Sequence, residues 1–372
     1  MKTSYLFLIS MLFIILSCAS DDSSMFSTGV NNGNGSEGSG GNVDDTDSGG
    51  AASNWTIPID EVVDGGPGKD GIPSIDNAIF LEAGDARVNN YMEDDDLVVG
   101  IVRGDVAKAY PHRILDWHEV VNDDVFGDKI TISYCPLTGT AFGWESSVDN
   151  RYSEFGVSGL LYNTNLILYD RASDSNWSQL KLECVNGEFI GSKPKVADVL
   201  ETTWKLWKEM FPETKILSNE QGFSRKYTVY PYGDYKQDDE FLLFPVSKID
   251  NSIPNKDRVH VIISVDSAKV FEFSNFGNGK AIKSQFLSND ILIIGDQKMI
   301  NSYIIGSQYI NLVFEYDFST PDYYFKDNEG NKWNVLGTAV DGPRKGEKLA
   351  TTSSLMSYWF AIPPFFSKIE IY

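Results

Sequence analysis

Apolar positions along the chain change period several times, and each change predicts an element. Leu97–Arg103 and Val106–Tyr110 flank Gly104 and Asp105, which reads as strand, tight turn, strand. Arg258–Phe271 repeats that reading around Asp266. Between Pro111 and Asn122 the residues Ile114, Leu115, His118 and Val121 fall on one helical face, with Pro111 suited to the first turn. That helix turns His118 inward with the apolar side chains. Lys129–Tyr134 alternates as a strand and closes at Cys135 and Pro136. Trp204, Trp207 and Phe211 predict a helix over Glu201–Phe211 with a buried aromatic face, stopped by Pro212.

The N-terminal pattern predicts location. After Lys2, an apolar run from Leu6 to Leu16 is too short to cross a bilayer core of roughly 30 Å and reads as the apolar part of a secretory signal. It ends in Ile15, Leu16, Ser17 and Cys18, which resembles a bacterial lipobox with Cys18 as the lipidated residue. Ala19 stands where an inner-membrane retention Asp would sit, and Asp21 and Asp22 resemble the acidic export signal of surface lipoproteins in Bacteroidetes. The expected location is the outer membrane, held by the lipid anchor, on the cell surface or else on its periplasmic face. Residues 1–18 are then the signal, and 19–53, rich in Ser, Gly, Asn and Asp, form a flexible acidic linker. Residues 54–71 are a loop-rich lead-in.

Self-similarity organises the rest. Ala107-Lys108 aligns with Ala268-Lys269, Ser175–Trp177 with Asn331–Trp333, and Thr202–Trp204 with Ser357–Trp359. The spacing drifts by only a few residues, as small loop insertions would produce. The predicted fold class is α+β and β-rich, an imperfect tandem duplication of one α+β unit. The first unit is 72–254 and the second, degenerate unit is 255–372.

Composition narrows the partners. Asp plus Glu outnumber Lys plus Arg by 53 to 31, a net charge of −22, which repels phosphate backbones and argues against nucleic acid. Three cysteines exclude a disulfide scaffold or a four-cysteine zinc module. Once Cys18 is lipidated, Cys135 and Cys184 remain, and a disulfide between them is compatible with an extracytoplasmic site.

Chemistry-bearing residues gather in the first unit. His118 lies on the helix that precedes the strand ending at Cys135, a connection able to set them side by side. Imidazole and thiolate serve either as ligands for copper or zinc or as a base and its nucleophile. His112 is the third candidate ligand, although six helical residues turn it about 120° away from His118. Glu119 and Asp123 are candidates to orient the imidazole. The bland alternative is a buried structural cysteine and a hydrogen-bonded core histidine. In the second unit, the positions aligned with Cys135 and His118 fall near Gly295 and Gly279 and carry neither group.

Several of these segments are motifs in their own right. Ala109–Asp123, Tyr134–Ala141, Phe155–Asn163, Leu168–Arg171 and Gly222–Arg225 together resemble a bacterial family of unknown function, DUF3179, over nearly all of the chain after Ile72. The resemblance implies no activity. The family commonly shows Cys-Pro-Leu-Cys where this chain has Cys135-Pro-Leu-Thr138, so a redox pair is absent from that motif. The motifs add Arg113, Arg171 and Arg225 as candidate contacts around the site. The leading functional reading is a Cys135–His118 site for soft-metal binding or thiol chemistry. The alternative is a non-catalytic surface module that captures a small molecule, polymer or protein with exposed aromatics. Tyr227, Tyr230, Tyr232 and Tyr235, interleaved with Pro231, Gly233 and Asp234, either stack on such a ligand or pin their loop to the body.

Overall fold

The hairpin of Leu97–Arg103 and Val106–Pro111 forms because β-branched residues alternate across a Gly104 turn, whose φ of 57° needs no side chain. In the computed structural model, which describes residues 54–149 and 151–372, this hairpin is the centre of a sheet. Leu200–Thr203 lies antiparallel on its first strand, and Lys215–Leu217 runs parallel to its second. Helix α1 (His112–His118) leaves the hairpin at Pro111, and helix α2 (Trp204–Met210) starts at Thr203, whose side chain accepts a hydrogen bond from the Leu206 amide. Trp207 of α2 packs flat on the sheet at Gly100, where an added Cβ would fall 2.1 Å from its ring. Two larger sheets and a two-stranded ribbon, Ser147–Val148 with Arg151–Tyr152, complete the first half. One is ordered Val196–Ala197, Thr140–Glu145, Asp128–Cys135, Val120–Val125; the other runs from Val62–Asp64 through Phe155–Tyr162, Asn165–Asp170 and Asn176–Ser178 to Glu183–Asn186.

All three arrangements recur in the second half. Arg258–Ile263 and Ser267–Glu272 form a hairpin flanked by antiparallel Ser354–Tyr358 and parallel Lys368–Ile371. Lys280–Phe286, Asn289–Gly295, Ile300–Ile304 and Ala350–Thr351 follow the order of the second sheet, and Phe314–Tyr316, Phe325–Asp327, Lys332–Trp333 and Ala339–Asp341 that of the third. The registers agree as well: Ala107 pairs with Val102 and Ala268 with Ile263 at the same place in each hairpin. A shared side-chain detail accompanies them. Trp177 donates to Asp170 at 3.0 Å and Trp333 donates to Asp327 at 2.8 Å, each Trp capping its own strand turn.

The described residues lie in one compact unit, and the largest apolar core runs from Ile72 through Trp144 and Trp177 to Val261, Trp359 and Phe366. The chain is therefore β-rich with two seven-residue α-helices among the described residues. None of those helices is long and apolar enough to cross a membrane. The proposed signal, Cys18 and the linker lie outside the described residues.

Two predicted helices change shape. The first stops at His118 rather than Asn122, because Glu119 adopts φ 58° and Val120–Val125 pairs as a strand with Asp128–Cys135. The β-branched Val120 and Val121 favour that pairing over another helical turn. The second begins at Trp204 rather than Glu201, since Leu200–Thr203 is taken by the sheet.

Candidate functional site

Helix α1 is short, and its two histidines leave on different sides. His118 is fully buried: Nδ1 lies 2.7 Å from the Pro73 carbonyl and Nε2 lies 2.8 Å from the Tyr227 hydroxyl. Both ring nitrogens are thus occupied, and burial pushes the imidazole down to about 4, so it stays neutral. His112 faces the opposite side, with its ring 4.4 Å from that of Tyr134. Cys135 is buried at its strand end, and its Sγ lies 3.7 Å from the Thr164 carbonyl. Burial, with the Glu119 carboxyl adding, pushes the thiol up to about 11.

The expected trio of His112, His118 and Cys135 is not brought together: among the described residues, no group of three or more His, Cys, Asp or Glu side chains is arranged to hold a metal ion. The roughly 120° divergence of the two histidines along α1 is the physical reason, and the copper or zinc expectation is left without a ligand set there. The Cys135–His118 pair fails as nucleophile and base for a second reason, since a thiol at about 11 is protonated near neutral pH. Cys135 and Cys184 are both free, so the disulfide is not formed.

The other nominated residues are spread out. Asp123 accepts two hydrogen bonds from Lys108, at 2.9 and 2.8 Å, and one from the Tyr110 hydroxyl at 2.6 Å, away from any imidazole. Arg113 pairs with Asp96 at 2.7 Å. Arg171 holds Asp76 at 2.8 Å and Glu154 at 3.0 Å, tying the loop at Asp76 to the sheet. Arg225 lies 5.6 Å over the Trp117 ring. Of that set, only Glu119 joins Cys135.

What gathers around Cys135 and His112 is an acid–base cluster. Glu119 closes α1, and its amide and carbonyl are both bonded, to Leu115 and to the Tyr134 amide. A non-glycine residue at positive φ costs roughly 1–3 kcal/mol, and such strain concentrates at functional sites. Burial pushes its carboxyl up to about 8, with only a long 3.4 Å hydrogen bond from Tyr232 opposing. Asp116 sits one helical turn after His112 and so on the same face. Burial pushes it up to about 6, although Lys236 donates to both its oxygens at 3.1 and 3.0 Å. Nε2 of His112 is buried without a hydrogen-bond partner; its nearest carboxylate oxygen, on Glu201, is 3.6 Å away. That same oxygen takes a short hydrogen bond from Arg258 of the second half. Tyr358, also from the second half, joins the cluster by bonding its amide to the Thr138 carbonyl at 2.8 Å.

The cover is residues 218–257, which contain no helix or strand. From this strap Tyr230 donates to the Pro136 carbonyl at 3.2 Å, and Tyr235 to the Leu137 carbonyl at 3.0 Å. The tyrosines therefore face the Cys135–Leu137 turn: Tyr227 and Tyr235 are buried, Tyr230 and Tyr232 half-buried. Lys256 fastens the strap, donating to the carbonyls of Tyr235, Asp238 and Phe241 with its ammonium 3.3 Å from the centre of the Tyr235 ring.

Sequence reasoning named His112, Glu119 and Cys135 and missed Asp116, Glu201, Lys236, Arg258 and Tyr358. Asp116 carried a signal, four residues after His112 in the same motif. Arg258 and Tyr358 carried none, because their contacts cross between the halves.

No curated protein and no solved structure matches the chain. A family model described as "Protein of unknown function (DUF3179)" matches residues 69–368. That span takes in α1, the Cys135 turn, the strap, Arg258 and Tyr358, and the chain belongs to the DUF3179 family.

Proposed function

We propose that this protein is an outer-membrane lipoprotein, displayed on the cell surface, whose body performs general acid–base chemistry on a small polar molecule. Asp116 and Glu119 would act as the proton-transferring groups, and Cys135 would be a neutral wall of the site. One observation carries the reading: two buried carboxyls held at about 6 and about 8 bracket neutral pH, in a cluster drawn from two separate motifs and the strap. Catalytic carboxyls are tuned by burial into this range, whereas a purely structural carboxylate is normally paired and held low.

The test is direct observation of the carboxyl titrations by carbon-13 NMR in the full chain, assigned with Asp116→Asn and Glu119→Gln. Two carboxyls titrating near pH 6 and 8 support the reading, and both titrating below pH 5 would overturn it. Location is supported by the apolar run, Ser17-Cys18 and the acidic linker. Cys18→Ala should release the chain from the membrane fraction; retention of that variant in membranes refutes the lipid anchor.

We also read the body as an imperfect tandem duplication. Support comes from three strand orders that recur in sequence, from the matching hairpin registers, and from the paired Trp177–Asp170 and Trp333–Asp327 bonds. On this reading the first copy keeps the acids, and the second supplies Arg258 and Tyr358.

A further inference from the structure

We infer that the seam between the two halves binds the carboxylate group of a small anion, between His112 and Tyr134 of the first half and Arg258 and Tyr358 of the second. The inference rests on the acid–base reading of the same cluster and names the ligand class it serves.

The hydrogen-bond inventory points to an acceptor. Three carboxylate oxygens of the cluster are committed: both Asp116 oxygens take Lys236, and Oε1 of Glu201 takes Arg258. Donors are in surplus. Among the described residues, Arg258 uses only Nη2, on Glu201 and on the Met356 sulfur, although a guanidinium carries five N–H groups. The Tyr134 and Tyr358 hydroxyls make no hydrogen bond to described residues, and Nε2 of His112 is buried without one. His112 itself is only 7% exposed, so a bound molecule or a water must satisfy it. The side chains of Lys236 and Arg258 keep 26% and 27% exposure, so the cluster is open to solvent at both.

Charge selects the carboxylate. Lys236 is matched by Asp116 and Arg258 by Glu201, while His112 is held neutral by burial and by those two cations. One further negative charge lands among surplus donors. A dianionic phosphate would add twice that charge to a buried, balanced cluster, and desolvation would oppose it. A planar carboxylate also matches the free edge of a guanidinium.

Calorimetric titration of the full chain in detergent with butyrate, inorganic phosphate and butan-1-ol tests this. Butyrate should bind, and Tyr358→Phe should weaken it several-fold, with Arg258→Gln and His112→Phe each weakening it about tenfold or more. Tyr358→Phe keeps the ring and guards against a variant that merely fails to fold. Butanol binding equal to butyrate, phosphate binding tighter than butyrate, or no butyrate binding to about 10 mM (a free energy near −3 kcal/mol) would each overturn the inference. Carboxyl titrations near pH 6 and 8 with no butyrate binding would sink the ligand class alone. Their absence would sink the acid–base reading instead.

Discussion

Glu119 is the residue at which local strain, burial and charge coincide. Its carboxyl rises from about 4.5 to about 8 on folding. The folded state therefore holds a proton that the unfolded state releases as pH climbs through 4.5. The side chain weakens folding progressively between pH 4.5 and 8 and by a constant amount above, on the order of 5 kcal/mol. Glu119→Gln keeps the shape and removes the charge. The variant should be more stable than the parent, with a gain near zero at pH 4.5 that grows to pH 8 and then levels. Urea unfolding at pH 5 and pH 9 measures this, and a gain independent of pH would refute it. At this scale the sequence was legible for identity and blind to environment. His118 was read as turned inward, and it is; its two hydrogen bonds, to Pro73 and Tyr227, depend on loops that no periodicity describes.

At the scale of elements, the strands were the legible part. Both hairpins were read from alternation and short turns, and the strand closing at Cys135 from its alternation. Alternation encodes a buried face directly. Helix limits were less legible: Leu200–Thr203 pairs with Leu97–Arg103, far away in sequence, and Val120–Val125 pairs with the next strand in place of a further helical turn. The strap was legible only as a loop whose tyrosines could pin it to the body; what it covers comes from side-chain contacts that no periodicity describes. The backbone hydrogen bonds of residues 223–238 are all internal to that stretch, so tyrosine hydroxyls and Lys236 hold it to the body, and Lys256 ties the two ends of the strap to each other. Elements held this way open locally at lower free energy than strands do. Lys256→Met removes three of those bonds. Hydrogen exchange across 227–241 should then quicken by about tenfold or more, while the strand Leu97–Arg103 keeps its protection. Equal quickening in both segments would show that the strap is part of the global fold.

Across the whole molecule, the two halves share one apolar core and one polar seam. Trp144, Trp177 and Leu168 pack in the same cluster as Val261, Leu355 and Trp359. A shared core couples the halves, so heat or urea should unfold the described body in one cooperative transition. Trp177→Phe and Trp333→Phe each delete the bond to a matching Asp. Each should lower the midpoint of that single transition by a similar amount, about 1–3 kcal/mol. Two resolved transitions, each moved by only one of the substitutions, would show the halves to be independent.

In a chain of two similar halves the link between them is normally spare, free to lengthen, shorten or be cut. Here the link is the strap. Residues 218–257 join the last strand of one half to the first strand of the other and also close over Asp116 and Glu119. The connector is a working part, so a change in its length or in its tyrosines would disturb the acids beneath. A nick in it would loosen the cover without removing a strand from either half.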